Sequence, residues 1–270
     1  MNEENTQTVL ITGASSGIGL ELARVFARDG FGLVLVARNH EKLISLAQEL
    51  RASHNISVTV IPANLDRPGA ANEIMETLRQ SGILIDILVN NAGTQVYAPF
   101  TEADEQKLLA LIQVNITALT QLTHLLLPDM LQRRQGRILN LGSTGSFVPG
   151  PLNAVYCASK AYVLSFSEAI AAELDGSGVT VTTLCPGATQ TEFVSRHGMQ
   201  DVRLFQNAMP ANEVALIGYR ALMSGKRTVV AGIANQLQIL SFKLLAPFMS
   251  LISNRMLMQM GSFFMGQVNK

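Results

Sequence analysis

The sequence predicts an α/β protein built on a parallel sheet with helices on both faces. Short apolar runs alternate with helix-length amphipathic segments from Thr8 to Val230. Runs such as Leu33-Val34-Leu35-Val36 are apolar at every position, as expected for strands covered on both faces. A glycine-rich turn stands between the first run and the first helix. This alternation implies right-handed crossovers between parallel strands.

Taken in order, Thr8-Val9-Leu10-Ile11 reads as a short buried strand, and residues 20–28 read as an amphipathic helix. Between them lies Thr12-Gly13-Ala14-Ser15-Ser16-Gly17-Ile18-Gly19. A glycine turn there lets the backbone approach a pyrophosphate and aims helix N-terminal amides at its charge. Strands are expected at 32–37, 56–61, 85–89, 137–141, 179–185 and 227–230. Helices are expected at 41–51, 69–79, 108–134, 152–174 and 212–223, with a kink at Pro128. No internal repeat or Pro/Gly/Ser-rich linker divides the chain, and 270 residues suit one α/β domain better than two. The expectation is a doubly wound parallel sheet of Rossmann type over residues 1–232. Residues 233–270 form an apolar helical C-terminal extension of the same structural unit.

Composition narrows the function classes. The chain is 48% apolar, with a mean hydropathy of +0.26, enough to fill a large core. Its 20 basic and 20 acidic residues cancel, without the basic excess or cluster that a nucleic-acid partner favours. Cys157 and Cys185 form no zinc-like cluster with histidine, so no metal site is expected; they read as small buried apolar residues, with one disulfide left open. Residues 1–7 are polar and acidic, unlike a signal peptide, so a cytoplasmic location is expected.

In doubly wound sheets, ligands sit beyond the carboxyl ends of the strands. Polar residues gather there: Asn90-Asn91-Ala92-Gly93, Ser143, and Pro186-Gly187. Tyr156 and Lys160 follow Ser143 by thirteen and seventeen positions, and their i, i+4 spacing puts both on one helical face. Singly, each has a plain reading as a turn residue or a helix-face pair. Together with the glycine turn and Asn115, in this order and spacing, they resemble the short-chain dehydrogenase/reductase family over residues 8–191.

The resemblance implies reversible reduction of a ketone or aldehyde to an alcohol. Tyr156 would be the acid/base, Ser143 would hold the carbonyl oxygen, and Lys160 would lower the Tyr156 pKa and bind the nicotinamide ribose. Asn115 would support a water and proton relay near that lysine. Gly13, Ser16, Gly17, Ile18 and Gly19 would surround the pyrophosphate and adjacent ribose. Leu65 and Asp66 would contact the adenine, and Asn91 and Gly93 the adenosine ribose. Pro186, Gly187, Thr189 and Thr191 match the segment around the nicotinamide. Family members that prefer NAD usually carry an acid at the position of Ala37. Here Arg38 follows Ala37 and no acid precedes Glu41, so NADP(H) is expected, the Arg38 guanidinium suiting a 2′-phosphate.

Beyond Thr191, residues 192–209 read as a mixed-polarity lid in which Phe193, Met199, Phe205 and Met209 either line an apolar site or simply pack. Tyr97, Phe100 and Phe147 lie near the cofactor and catalytic segments. Residues 236–265 are rich in Leu, Phe and Met and carry only Lys243 and Arg255 as formal charges. Packing on its own domain or on a partner subunit is favoured over peripheral membrane contact, because a basic polar face is lacking. A homodimer or homotetramer is expected. Two other readings stay open: a nucleotide-binding regulator without catalysis, and a membrane-docked scaffold.

Overall fold

A computed structural model describes residues 7–193, 197 and 208–245. The chain opens with β1 (Thr8–Thr12), α1 (Gly17–Arg28), β2 (Gly32–Ala37), α2 (His40–His54), β3 (Val58–Pro62), α3 (Ala70–Gln80) and β4 (Ile87–Asn90). It continues through α4 (Glu105–Ile112), a π-helical stretch Gln113–Ala118, and α5 (Leu119–Gln132) to β5 (Gly136–Leu141). Then come α6 (Ala154–Glu173), β6 (Val179–Cys185), the two-residue strands β7 (Thr189–Gln190) and β8 (Met209–Pro210), α7 (Ala211–Met223), β9 (Thr228–Val230) and α8 (Ile233–Leu245).

Seven strands form one sheet in the order β3-β2-β1-β4-β5-β6-β9, and every pairing is parallel. The chain grows outward through β2 and β3, then restarts beside β1 with β4. That reversal leaves a crevice beyond the ends of β1 and β4. Side chains alternate across the sheet. Val9, Ile11, Leu33 and Leu35 pack with Phe26, Leu43 and Leu222 on one face. Leu10, Val34 and Leu88 pack with Ile74, Leu78, Leu122 and Leu126 on the other. Each such side chain is fully or almost fully buried, a contribution of about 1.5–3 kcal/mol apiece. This is the doubly wound architecture that the alternating sequence implies.

Two local features differ from the sequence expectation. The long helix is interrupted at Gln113–Ala118, around Asn115, while α5 runs on through Pro128. Pi-helical turns are rare and occur frequently at functional sites. The Glu105–Gln132 helix is long and apolar enough to cross a membrane by length and composition. However, Leu111, Leu119, Leu122, Leu126 and Met130 are buried in the fold. The small parallel pair of β7 and β8 was also absent from the expected strands.

The described part of the C-terminal extension is α8. Ile239 is buried, whereas Ile233, Leu237, Leu240 and Leu244 face outward. Asn235 closes on Gly187: a Cβ there would lie 2.6 Å from the Asn235 amide. The remainder of the expected tail, residues 246–270, lies outside the described residues, as do Met199 and Phe205.

Candidate active site

The glycine turn after β1 requires glycine at particular positions. Gly13 and Gly17 take φ values of +66° and +57°, a region that disfavours other side chains. A Cβ on Gly13 would approach the Asn91 amide to 2.8 Å and the Ala92 Cα to 2.9 Å. One on Gly19 would collide with the Gly13 carbonyl oxygen and the Asn91 amide. Gly19 therefore serves the packing of α1 against the turn and does not line the cleft. Thr12 Oγ1 donates to the Val89 carbonyl at 3.2 Å and accepts from the backbone N–H groups of Asn91 and Ala92 at 3.0 Å. The Asn91 amide donates to the carbonyls of Thr12 and Gly13, at 2.9 and 3.1 Å. These bonds lock the loop after β4 against the turn after β1.

The chemistry-bearing residues come from β5 and α6. Ser143 caps a short 3₁₀ turn: its Oγ accepts from the Gly145 N–H at 3.0 Å, and its own N–H donates to Ser146 Oγ at 3.1 Å. The two cysteines are free and fill the space beneath this turn. A Cβ on Gly142 would lie 2.9 Å from Cys185 Sγ, and one on Gly145 would lie 3.2 Å from Cys157 Sγ. Lys160 is buried, and its Nζ donates to the Leu141 carbonyl at 2.7 Å, 5.8 Å from the centre of the Tyr156 ring.

Burial sets the protonation of this pair. It pushes the Tyr156 phenol up to about 12, with the Ser143 hydrogen bond pulling the other way, and lowers Lys160 to about 8. The protein's own groups thus raise the tyrosine pKa, opposite to the lowering expected from its lysine neighbour. Desolvation of the phenolate dominates, and the Lys160 ammonium is turned to the Leu141 carbonyl.

Asn115 stands behind this pair and not in the cleft. Its Oδ1 accepts from the Thr94 N–H at 2.9 Å, while its Nδ2 donates to the Thr94 carbonyl and to Ser159 Oγ, both at 3.0 Å. A Cβ on Gly93 would sit 3.5 Å from Asn115 Oδ1 and 3.6 Å from Lys160 Nζ, so that glycine separates the two side chains. The buried carboxamide positions the 91–95 loop.

One cleft of about 920 Å³ collects the remaining expected residues. Gly13, Ser16, Gly17, Ile18, Arg38, Leu65, Asp66, Asn91 and Gly93 line it with Ser143, Tyr156, Lys160, Pro186, Gly187, Thr189 and Thr191. Arg38 is exposed, and among the described residues it has neither an ion-pair nor a hydrogen-bond partner. Gly13 and Gly17, the N-terminus of α1 and the buried ammonium beyond them form a cradle that fits a dinucleotide.

Of the other residues at the site, Phe193 and Tyr97 were sequence candidates, whereas His197, Asn235, Gln238 and Phe242 carry no sequence signal. His197 Nδ1 lies 2.7 Å from the Phe193 carbonyl, and its Nε2 lies 3.0 Å from Thr94 Oγ1. The Phe193 ring, 6.4 Å from that of Tyr156, closes one side. Asn235, Gln238 and Phe242 of α8 border the same cleft. Of the aromatic candidates, Tyr97 lines the cleft, whereas Phe100 is 67% exposed and turned away. Met209 packs on the core.

The model of the short chain dehydrogenase family matches residues 7–201. The chain belongs to this family. Within it, the chain is 36% identical over 179 residues to a very-long-chain 3-oxoacyl-CoA reductase of Aspergillus clavatus, a match covering 64% of this chain and 50% of the other. It is 37% identical to sulfoacetaldehyde reductase 2 of Chromohalobacter salexigens, covering 68% and 73%. A short-chain dehydrogenase from Sphingobium yanoikuyae, solved in complex with NADPH, superposes with a TM-score of 0.80 at 34% identity, covering 92% and 97%. The chain spans about half the length of the fungal relatives it matches. Short-chain dehydrogenases are oxidoreductases that bind NAD(P).

Proposed function

We propose that this short-chain dehydrogenase is an NADPH-dependent reductase of ketones or aldehydes, able to run in reverse as an alcohol dehydrogenase. One observation carries the reading: Tyr156, beside Ser143 and flanked by buried Lys160, meets the glycine cradle in a single cleft. A nicotinamide held there supplies the hydride. Tyr156 donates its proton to the carbonyl oxygen, and a pKa near 12 keeps that proton in place across the neutral range. Ser143 holds the oxygen by a second hydrogen bond. Lys160 favours the phenolate left behind and binds the nicotinamide ribose. Arg38, with no ion-pair or hydrogen-bond partner among the described residues and no acid between it and Glu41, would receive the 2′-phosphate through charge-assisted hydrogen bonds.

Val96, Val148, Pro149, Pro151 and Phe193 give the cleft an apolar wall. That supports a substrate that is apolar beside its carbonyl, and the reductase names of the relatives agree with the direction. The test is a panel of ketones and aldehydes followed by NADPH absorbance. Turnover with NADPH, and slower turnover with NADH, is expected. Nucleotide binding without oxidation on any carbonyl would favour the non-catalytic regulator.

A further inference from the structure

Lys42 and Glu192 stand 150 residues apart and meet head-on. Lys42 Nζ donates to both carboxylate oxygens, at 2.8 and 2.9 Å. Lys42 belongs to the first turn of α2, where Asn39 caps the helix by accepting from the Lys42 N–H at 2.8 Å. Arg38 and Asn39, just before that helix, line one rim of the cleft. Glu192 directly follows Thr191, which lines the opposite rim and rests on the glycine turn: a Cβ on Gly17 would lie 2.9 Å from Thr191 Cγ2. Besides the Gly17–Thr191 contact, the ion pair ties the segment after β7 to the far edge of the nucleotide groove.

We propose that Lys42 and Glu192 form a clasp across the dinucleotide groove that slows release of the bound cofactor. The proposal rests on the dinucleotide-binding reading of the cleft. It does not depend on which cofactor is preferred. A dinucleotide seated on the glycine turn has the α2 N-terminus at its adenosine end. Residues 187–191 lie at its nicotinamide end. Leaving the groove requires these two rims to part, and the ion pair joins them. Both groups are half-exposed, at 47% and 52%, so water and salt weaken the pair. Its effect is therefore on the rate of opening and is modest: about two- to fivefold, the range that exposed pairs deliver. Lys42 and Glu192 are positioning residues. Neither touches the reacting atoms.

The test uses the fluorescence of the reduced nicotinamide itself, since the chain contains no tryptophan to serve as a reporter. Stopped-flow displacement gives the release rate of NADPH, and separately of NADH, from the full chain. Lys42→Gln and Glu192→Gln should each speed release by about two- to fivefold for both cofactors, with the melting temperature unchanged. The double variant should release no faster than either single one, and the charge exchange Lys42→Glu with Glu192→Lys should restore slow release. Single variants with wild-type release rates would overturn the clasp, as would additive losses without rescue by the exchange. If Lys42→Gln weakens only NADPH and Glu192→Gln strengthens it, Lys42 serves the 2′-phosphate and the clasp is wrong. Wild-type protein giving no signal with either nucleotide would instead reject the dinucleotide reading.

Discussion

Replacing Tyr156 with Phe separates chemistry from folding. The ring is half-buried beside Phe193, and Phe keeps that volume. The hydroxyl's hydrogen bond with Ser143 is lost, a net change of about 0.5–1.5 kcal/mol for a neutral pair. Ser143 Oγ retains the Gly145 N–H, so no serine oxygen is stranded. Removing a phenolate-forming group from an environment that raises its pKa also leaves nothing charged to desolvate. Stability should therefore change by roughly 1 kcal/mol or less. On the proposed acid role, catalysis would lose its proton donor, and general acids contribute about 10²–10⁴-fold, or roughly 2.7–5.4 kcal/mol of barrier. The assay is NADPH oxidation with the best carbonyl of the panel, alongside NADPH titration and thermal melting. A variant that binds NADPH and melts like wild type yet turns over a hundredfold or more slowly is expected. One that keeps half the wild-type turnover would remove Tyr156 from the acid role.

The remaining predictions test the cofactor and the cradle. Arg38→Ala should weaken NADPH by about 1.5–3 kcal/mol and leave NADH nearly unchanged, because only the 2′-phosphate loses a charged partner; equal losses for both cofactors would refute the selector role. Burial lowers Lys160 to about 8, so its ammonium is present below that pH and lost above it. Reduction, measured as kcat/KM, should therefore fall as pH rises through about 8, and that limb should vanish in Lys160→Met; a wild-type profile flat from pH 7 to 10 would contradict it. Stability runs the other way. The Lys160 contribution is complete above its ordinary value of 10.5 and is lost as pH falls through about 8, which denaturant midpoints across that window would show. Gly13→Ala and Gly30→Ala both strain a left-handed backbone, at φ +66° and +83°, by about 1–2 kcal/mol. Only Gly13 also meets backbone, whereas Gly30 opens to empty space, so Gly13→Ala should melt lower and lose nucleotide binding; equal melting points would show that the turn tolerates a side chain.

What the sequence made legible is what the backbone itself dictates. Val9 to Ile11 and Leu33 to Val36 are apolar throughout and alternate with helical segments, so burial on both faces and parallel pairing followed from the sequence pattern. Gly13 and Gly17 announced a turn that other residues resist. The Tyr156–Lys160 spacing placed two side chains on one helical face before any coordinates were known. The π-helical turn at Asn115 was invisible in the sequence: the Asn115 carboxamide there pairs with Thr94, 21 residues earlier, and Pro128 offered a nearer and misleading reason for irregularity. His197, Gln238 and the Lys42–Glu192 pair gave no signal either. Each finds its place only after the sheet has folded, through partners 100 or more residues away or through a helix whose facing is set by Ile239 and Asn235.

The tyrosine pKa shows the limit of reading pairs. Spacing alone makes Lys160 a neighbour of Tyr156, and a neighbouring ammonium favours the phenolate. In the folded chain the same ammonium is buried, donates to the Leu141 carbonyl, and is itself pushed toward neutrality. Both groups then sit on the side of their titrations that suits reduction: a phenol that keeps its proton and a lysine still charged at neutral pH. Oxidation of an alcohol needs the opposite, a phenolate, toward which Ser143 pulls and which a charged Lys160 favours, without overcoming desolvation. The positive charge of an oxidised nicotinamide would provide the rest. The preferred direction thus depends on which cofactor form fills the cleft. The protein's own electrostatics lean toward carbonyl reduction, and alcohol oxidation should accelerate as pH rises until Lys160 begins to lose its proton near 8.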